Sequence, residues 1–384
     1  MFKKYIIFIS SIFVPILLIL LLVNIKVDSG FVVNNRSNEI SNILLSGKNA
    51  AVIVIPSQWG SLQKALVKNK LQSDNKTPSE IVVFGNSRSS EIHSGLFPNN
   101  TFFNCALPGG NVLDMIAIYG LYKKSNLLPK YVLISIDPWS FYARKKSTIN
   151  NDIHYFADTT LPLTVNLDLI NEYNNGLNYL NINEPKLTEK KDSKWNLKTF
   201  KEILNPTYFQ LNIKYLIKKT VLATDQLKKK SYFVIRSDGG YSLAFPNQID
   251  SIALKEKSNQ FVEIHKSNYF ITIDNHCIYW TYFKKLLTQL QKDGVTPIIY
   301  ISPLNPIVYD NLAQVDEIDL ESKIRQFCEE KSIIVLGSFN PHRYGYHTIG
   351  HNFIDYYHPT KSVVETIFKF HQIELDSIGI QIKD

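Results

Sequence analysis

Cysteine is nearly absent from this chain, with Cys105, Cys277 and Cys328 the only three in 384 residues. An odd number without metal spacing argues against a disulfide framework and against a cysteine-built metal site. Cys328 lies in the helical pattern Ile324-Arg-Gln-Phe-Cys-Glu-Glu and reads as a core residue. No internal repeat is visible, and no basic helix interleaved with aromatic residues is present. Nucleic acid is therefore not an expected partner, although the formal net charge is +8. The basic residues come as short runs such as Lys228-Lys-Lys230, or bracketed by acids as in Glu189-Lys-Lys-Asp192, which reads as solvated surface. The sharper alternative is attraction to an anionic membrane face or polymer.

What the chain does have is apolar and aromatic material. It is 45% hydrophobic and carries 21 Tyr and 22 Phe, a composition unlike that of a disordered polypeptide and sufficient for a sizeable core. The length suggests about two domains' worth of material. At the N-terminus, Lys3 and Lys4 precede an uncharged run over residues 5–23, long enough to cross the hydrocarbon core as a helix. The basic flank holds that end in the cytoplasm, so the reading is a single-pass anchor over residues 1–29 with the body periplasmic or extracellular. A cleaved signal peptide ending at Val27-Asp-Ser29 is the competitor, and the length of the run favours an uncleaved anchor. Both readings export the body.

Residues 30–77 read as a tether plus a first packing element, with an extended stretch at 50–56 and a short helix at 61–71. Short, apolar, β-branched runs then recur at 80–85, 101–104, 131–136, 296–301 and 332–336, the pattern of strands buried on both faces. Helical stretches fall at 112–124, 316–331 and 360–371. Strands joined by helical crossovers predict an α/β fold with a five-stranded parallel sheet, built from residues 78–142 and 276–384. Between 143 and 275 the rhythm disappears; this stretch holds an amphipathic segment near 197–222 and the turn Ser237-Asp-Gly-Gly240. An insertion this long is expected to be a cap or substrate platform, the alternative being a decorative subdomain.

In an open parallel sheet, ligands bind beyond the carboxyl ends of the strands. Ser87 follows the first strand, Gly109-Gly110-Asn111 the second, Asp137 ends the third, Ser302-Pro-Leu-Asn305 follows the fourth, and Asp355 and His358 follow the fifth. Asp355 and His358 are three residues apart, close to one helical turn, so the carboxylate can meet one ring nitrogen and leave the other for Ser87. A serine hydroxyl needs a base, which makes His358 the base and Asp355 the group that holds its tautomer. Backbone N–H groups of Ser87 and of Gly109 or Gly110 are the candidate oxyanion donors. The pattern predicts a serine hydrolase or acyltransferase.

Three stretches resemble a family. Gly85-Asn-Ser-Arg resembles the Gly-Asp-Ser block of the SGNH (GDSL-like) hydrolase superfamily, Asn104-Cys-Ala-Leu-Pro-Gly-Gly110 its glycine block, and Asp355-Tyr-Tyr-His358 its terminal Asp-x-x-His block. The resemblance covers about residues 78–142 and 276–372. It implies a three-layer α/β/α sandwich with a five-stranded parallel sheet, no metal and no cofactor. The family's third block supplies an oxyanion asparagine, yet the place reads Ser135-Ile-Asp137-Pro-Trp139. A carboxylate cannot donate unless protonated, so Asn111 or a backbone group stands in for the missing donor, or the site is weak as a hydrolase. Asp137 is then expected to orient a residue of the cap, and Asn305 to support the crevice. The altered block, with an anchor and an exported body, resembles the membrane-tethered branch that includes the D-alanyl-transfer protein of lipoteichoic acid synthesis and the alginate O-acetylation proteins. That resemblance implies a cell-surface glycan or its acyl donor as substrate, and a membrane-bound O-acyltransferase as partner.

Two rival readings stand beside this one. His342, His347, His351, Asp355 and His358 crowd one stretch, and His347 and His351 are four apart, a spacing that suits zinc on a helix. Gly345 and Gly350 make the stretch read as loop instead. The other rival is a fold that survives as a binding or scaffolding domain of an envelope complex, for which the altered third block is the best support.

Overall fold

The computed structural model describes residues 2–27, 37–46, 51–54, 56–72, 78–144, 170–182, 232–244, 251–271, 278–312, 318–348 and 350–383, with scattered residues between 203 and 216. The strands are β1 (Ala51–Val54), β2 (Ile81–Phe84), β3 (Phe102–Asn104), β4 (Tyr131–Ile136), β5 (Tyr142–Arg144), β6 (Tyr232–Arg236), β7 (Tyr241–Ala244), β8 (Tyr269–Ile271), β9 (Thr296–Ile301) and β10 (Ile334–Gly337). The helices are α1 (Phe2–Val27), α2 (Ser37–Leu45), α3 (Pro56–Gln72), α4 (Val112–Lys124), α5 (Ile170–Tyr179), α6 (Ser251–Asn268), α7 (Ile278–Lys292), α8 (Pro306–Leu312), α9 (Ile318–Glu330), α10 (Lys361–Phe370) and α11 (Gln372–Asp376).

Five strands form an all-parallel sheet in the spatial order β10-β9-β4-β2-β3. All five fall on the apolar runs expected from the sequence. They are mostly apolar because each face is covered, the exceptions being Asn104, Ser135 and Thr296. Val82, Phe84, Val132 and Ile134 point into one apolar cluster with Met115 of α4 and Leu286 of α7. Their alternates Ile81, Val83 and Leu133 point into a second cluster with Val363, Val364, Ile367 and Phe368 of α10. Burying each such side chain is worth about 1.5–3 kcal/mol, so α10 is held chiefly by its apolar face.

The order of the strands places the site. The chain passes from β2 to β3 on one side and then crosses to β4 on the other, so the end of β2 lies where the winding reverses. At such a switch point the two outgoing connections diverge and leave a crevice.

The segments flanking the sheet combine with one another. β1 pairs antiparallel with β6, and β6 with β7, into a separate three-stranded sheet; β5 pairs with β8. Much of 183–231, including most of the amphipathic stretch expected at 197–222, lies outside the described residues.

α1 runs for 26 residues with Pro15 inside it. Near its end Asn24 is buried and donates to the Ile203 carbonyl at 2.7 Å, while Asn212 donates to Asn24 Oδ1 at 2.9 Å. Among the described residues no helix is long and apolar enough to cross a membrane. The side chains of residues 2–10 and 12 in α1 are not among them.

Candidate active site

Ser87 opens a single 3-10 turn, Ser87–Ser89, two residues after the strand-ending Phe84–Gly85 step. Asn86 caps that turn by accepting from the Arg88 N–H at 3.0 Å. The adjoining loop is latched to it. Leu107 N–H donates to the Gly85 carbonyl at 3.0 Å, and a Cβ on Gly110 would stand 2.5 Å from that same oxygen. Only glycine lets the two backbones approach so closely.

Asp355 and His358 meet in a closed loop rather than a helix. Phe353 and Pro359 form an antiparallel bridge, and Ile354 N–H donates to the His358 carbonyl at 2.8 Å. Inside the loop, Asp355 Oδ1 accepts from the N–H groups of Tyr357 at 2.9 Å and His358 at 2.7 Å. Its other oxygen faces His358 Nδ1 at 2.6 Å, and His358 Nε2 faces Ser87 Oγ at 2.8 Å. Hydroxyl, imidazole and carboxylate therefore form one continuous line across 271 residues of sequence.

Three carboxylates surround the line. Burial works to raise the Asp355 carboxyl, but the charge of His358, its ring hydrogen bond and the two backbone N–H groups outweigh it and hold the group below the usual carboxylate range. Two further carboxylates feel the same ring. Glu91 is buried and its carboxyl is raised by that burial, against the opposing pull of Arg236, Ser242 and His358. Asp137 is raised by burial as well, against Arg88, Asn86 and His358.

Asp137 does not orient a residue of the insertion, as the sequence led us to expect. Its Oδ1 accepts from Arg88 Nη1 at 2.8 Å, and its Oδ2 accepts from Asn86 Nδ2. Both side chains of the ion pair are fully buried. Arg88 also donates to the carbonyls of Ser302 at 2.9 Å and Pro303 at 2.5 Å, tying the Ser87 turn to the loop after β9. With both Asp137 oxygens accepting from N–H groups, the third block serves as a brace for the residues either side of Ser87.

The expected oxyanion donors divide into two groups. Gly110 N–H is taken by the Leu107 carbonyl at 3.0 Å, and Asn111 Oδ1 caps α4 through Leu113 N–H at 2.8 Å and Asp114 N–H at 3.3 Å. These atoms hold the loop. The N–H groups of Ser87 and Gly109, the latter at φ 63°, have no protein acceptor among the described residues and, with the Asn111 NH₂ that the cap does not use, are the donors left for an oxyanion. Asn305 is buried, its Oδ1 accepting from Ile307 N–H at 2.9 Å and its Nδ2 unpartnered among the described residues.

Of the histidines in the metal reading, His358 is taken up by Ser87 and Asp355. His342 and His347 stack with Nδ1 atoms 3.1 Å apart, and His342 Nε2 faces Asp310 at 2.7 Å. Among the described residues no group of three or more His, Cys, Asp or Glu side chains is arranged to hold a metal ion.

A small pocket, partly open to solvent, adjoins Ser87 and His358. Its remaining walls come from Ser90 and Glu91, from Phe233, Tyr241 and Leu243 of the β6–β7 hairpin, and from Ile354 and Pro359. The sequence carried no local signal for Glu91 or the hairpin residues. Arg88 was visible only as a cation beside the serine, without a role.

No protein-family model matches this chain and no curated protein matches its sequence.

Proposed function

We propose that this chain is a membrane-anchored, exported serine esterase or O-acyltransferase of the SGNH type, acting on acyl groups of a cell-surface glycan. The observation that carries the reading is the line Asp355–His358–Ser87, with separations of 2.6 and 2.8 Å. In this reading Ser87 Oγ attacks the carbonyl carbon of an ester donor while His358 Nε2 takes the hydroxyl proton. The oxyanion gathers the N–H groups of Ser87 and Gly109, and Asp355 stabilises the imidazolium. The ester C–O bond then breaks, and the proton passes from His358 to the leaving oxygen. A water or a sugar hydroxyl completes the cycle by the same steps in reverse, giving hydrolysis or transfer.

The five-stranded parallel sheet, with apolar clusters on both faces, supports the three-layer α/β/α architecture that the resemblance implies. The anchor rests on the uncharged run over residues 5–23, within which Phe13, Ile16, Leu17, Leu18, Ile19 and Leu22 expose apolar side chains. An anchor of this kind holds the site beside a membrane-supplied acyl donor and a membrane-bound O-acyltransferase.

One observation favours the scaffold reading: Asp137 is locked to Arg88 and Asn86, so the third block offers no side-chain donor to an oxyanion. Labelling decides between the two. The esterase reading expects a fluorophosphonate to modify Ser87, with labelling abolished in Ser87→Ala and in His358→Ala. Inert wild-type protein would establish the scaffold instead. Mass spectrometry of the host's surface polysaccharide then tests the substrate, since unchanged acylation in a Ser87→Ala strain removes the glycan assignment.

A further inference from the structure

We infer that the pocket beside Ser87 receives the acyl chain, that it admits an acetyl-sized group and no longer chain, and that Phe233 and Leu243 set this limit. The inference rests on the serine-esterase reading above and narrows its substrate. An acyl carbon bonded to Ser87 Oγ directs its oxygen to the N–H groups of Ser87 and Gly109. The remainder of the acyl group must then point away from the glycine loop. The pocket is lined by Ser87 and His358 and not by Gly109 or Gly110, so it lies off the glycine loop. Its walls are chiefly apolar, with the rings of Phe233 and Tyr241 buried and the side chains of Leu243, Ile354 and Pro359 beside them. Between these walls there is room for little more than one water-sized group, about the size of a methyl.

The limit holds only if the hairpin cannot retreat, and it is fastened on several sides. Tyr241 N–H donates to the Ser90 carbonyl at 3.1 Å, and Arg236 Nη2 donates to the same oxygen at 2.9 Å. Ser242 Oγ donates to Glu91 at 2.9 Å, with Arg236 Nη1 3.5 Å from the same carboxylate. At the turn, Asn104 N–H donates to the Asp238 carbonyl at 2.8 Å. Gly239 fits so closely there, at φ 82°, that a Cβ would fall 2.2 Å from the Asn104 carbonyl oxygen. The insertion thus builds a rigid wall of the site.

The test uses the detergent-solubilised full chain and p-nitrophenyl esters from acetate to octanoate, with acylation of Ser87 read by intact mass and by the release of nitrophenol. Wild-type protein is expected to acylate from acetate at least about tenfold faster than from hexanoate. Leu243→Ala and Phe233→Leu are expected to raise the hexanoate-to-acetate ratio by about tenfold. Leu243→Phe, which fills the same space without opening a cavity, is expected to slow even acetate. Equal rates for acetate and hexanoate in the wild type, or an unchanged ratio in folded variants, overturns the assignment of the pocket while leaving the esterase reading intact. Failure of every ester together with failure of fluorophosphonate labelling overturns both.

Discussion

Asp355→Asn is the sharpest perturbation of the site, because the loop dictates which way the new amide must face. In the wild type one carboxylate oxygen accepts from the N–H groups of Tyr357 and His358, at 2.9 and 2.7 Å, and the other faces His358 Nδ1 at 2.6 Å. An asparagine keeps the two backbone bonds only if its oxygen takes the first position. Its NH₂ then faces Nδ1, and two donors cannot share a hydrogen bond. The ring answers by moving its proton to Nε2, where it can no longer accept the proton of Ser87. Acylation of Ser87 should fall about 10⁴-fold, roughly 5.4 kcal/mol at 1.36 kcal/mol per decade, while stability falls only by what the depressed carboxylate contributes. Asp355→Ala makes the contrast. It also removes the orienting carboxylate but leaves both N–H groups without their acceptor, so it should lose rate and, in addition, about 1–3 kcal/mol of stability. Rates come from the p-nitrophenyl acetate burst and stabilities from urea unfolding. An Asn variant that keeps more than about a tenth of the rate would refute the claim that this carboxylate sets the tautomer. Equal stability of the Asn and Ala variants would refute the claim that it also holds the loop.

Three other outcomes are expected. Arg88→Met breaks a fully buried ion pair and frees two carbonyls, so urea unfolding should show a loss of about 3–5 kcal/mol, and Arg88→Met with Asp137→Leu should cost less than the two single changes added together; strict additivity would mean that the pair is not coupled. Gly110→Ala drives a Cβ to 2.5 Å from the Gly85 carbonyl oxygen, and should lower both the melting temperature and Ser87 acylation, the latter about tenfold; a variant with wild-type values would show that the two loops have slack. Because the folded-state carboxyl of Asp355 is depressed, its contribution to stability is fully present above the ordinary value of 3.8 and is lost as pH falls below it. The stability advantage of wild type over Asp355→Asn should therefore shrink in acid, as followed by urea midpoints between pH 3 and pH 6, and a constant difference would contradict the depression.

How much of this was legible beforehand differs from element to element. The five strands of the sheet were readable because a parallel strand covered on both faces needs a near-continuous apolar run, and residues 131–136 and 296–301 match the strands residue for residue. Ser87, Asp355 and His358 stood out because each polar group follows such a run at the carboxyl end. The local form of the dyad was less accessible. Spacing brought Asp355 and His358 together, but a bridge between Phe353 and Pro359 and an aspartate-capped turn do the work assigned to a helix. The role of Asp137 was hidden for a different reason, since its partner Arg88 lies 49 residues away and nothing in either stretch marks the pairing.

By itself, the order of apolar runs and strand-ending polar residues determined that this chain folds around a parallel sheet, with a hydroxyl, an imidazole and a carboxylate at one end of it. That much is local, because burial on two faces and the stereochemistry of a strand's end are written in consecutive residues. The tertiary structure decided which face of the serine is walled in and by what. Ser242 reaches Glu91 across 151 residues, and Phe233, Tyr241 and Leu243 come from an insertion with no catalytic signature. Such a wall depends on the packing of separate segments, and packing is a property of three-dimensional proximity that no single stretch of sequence contains.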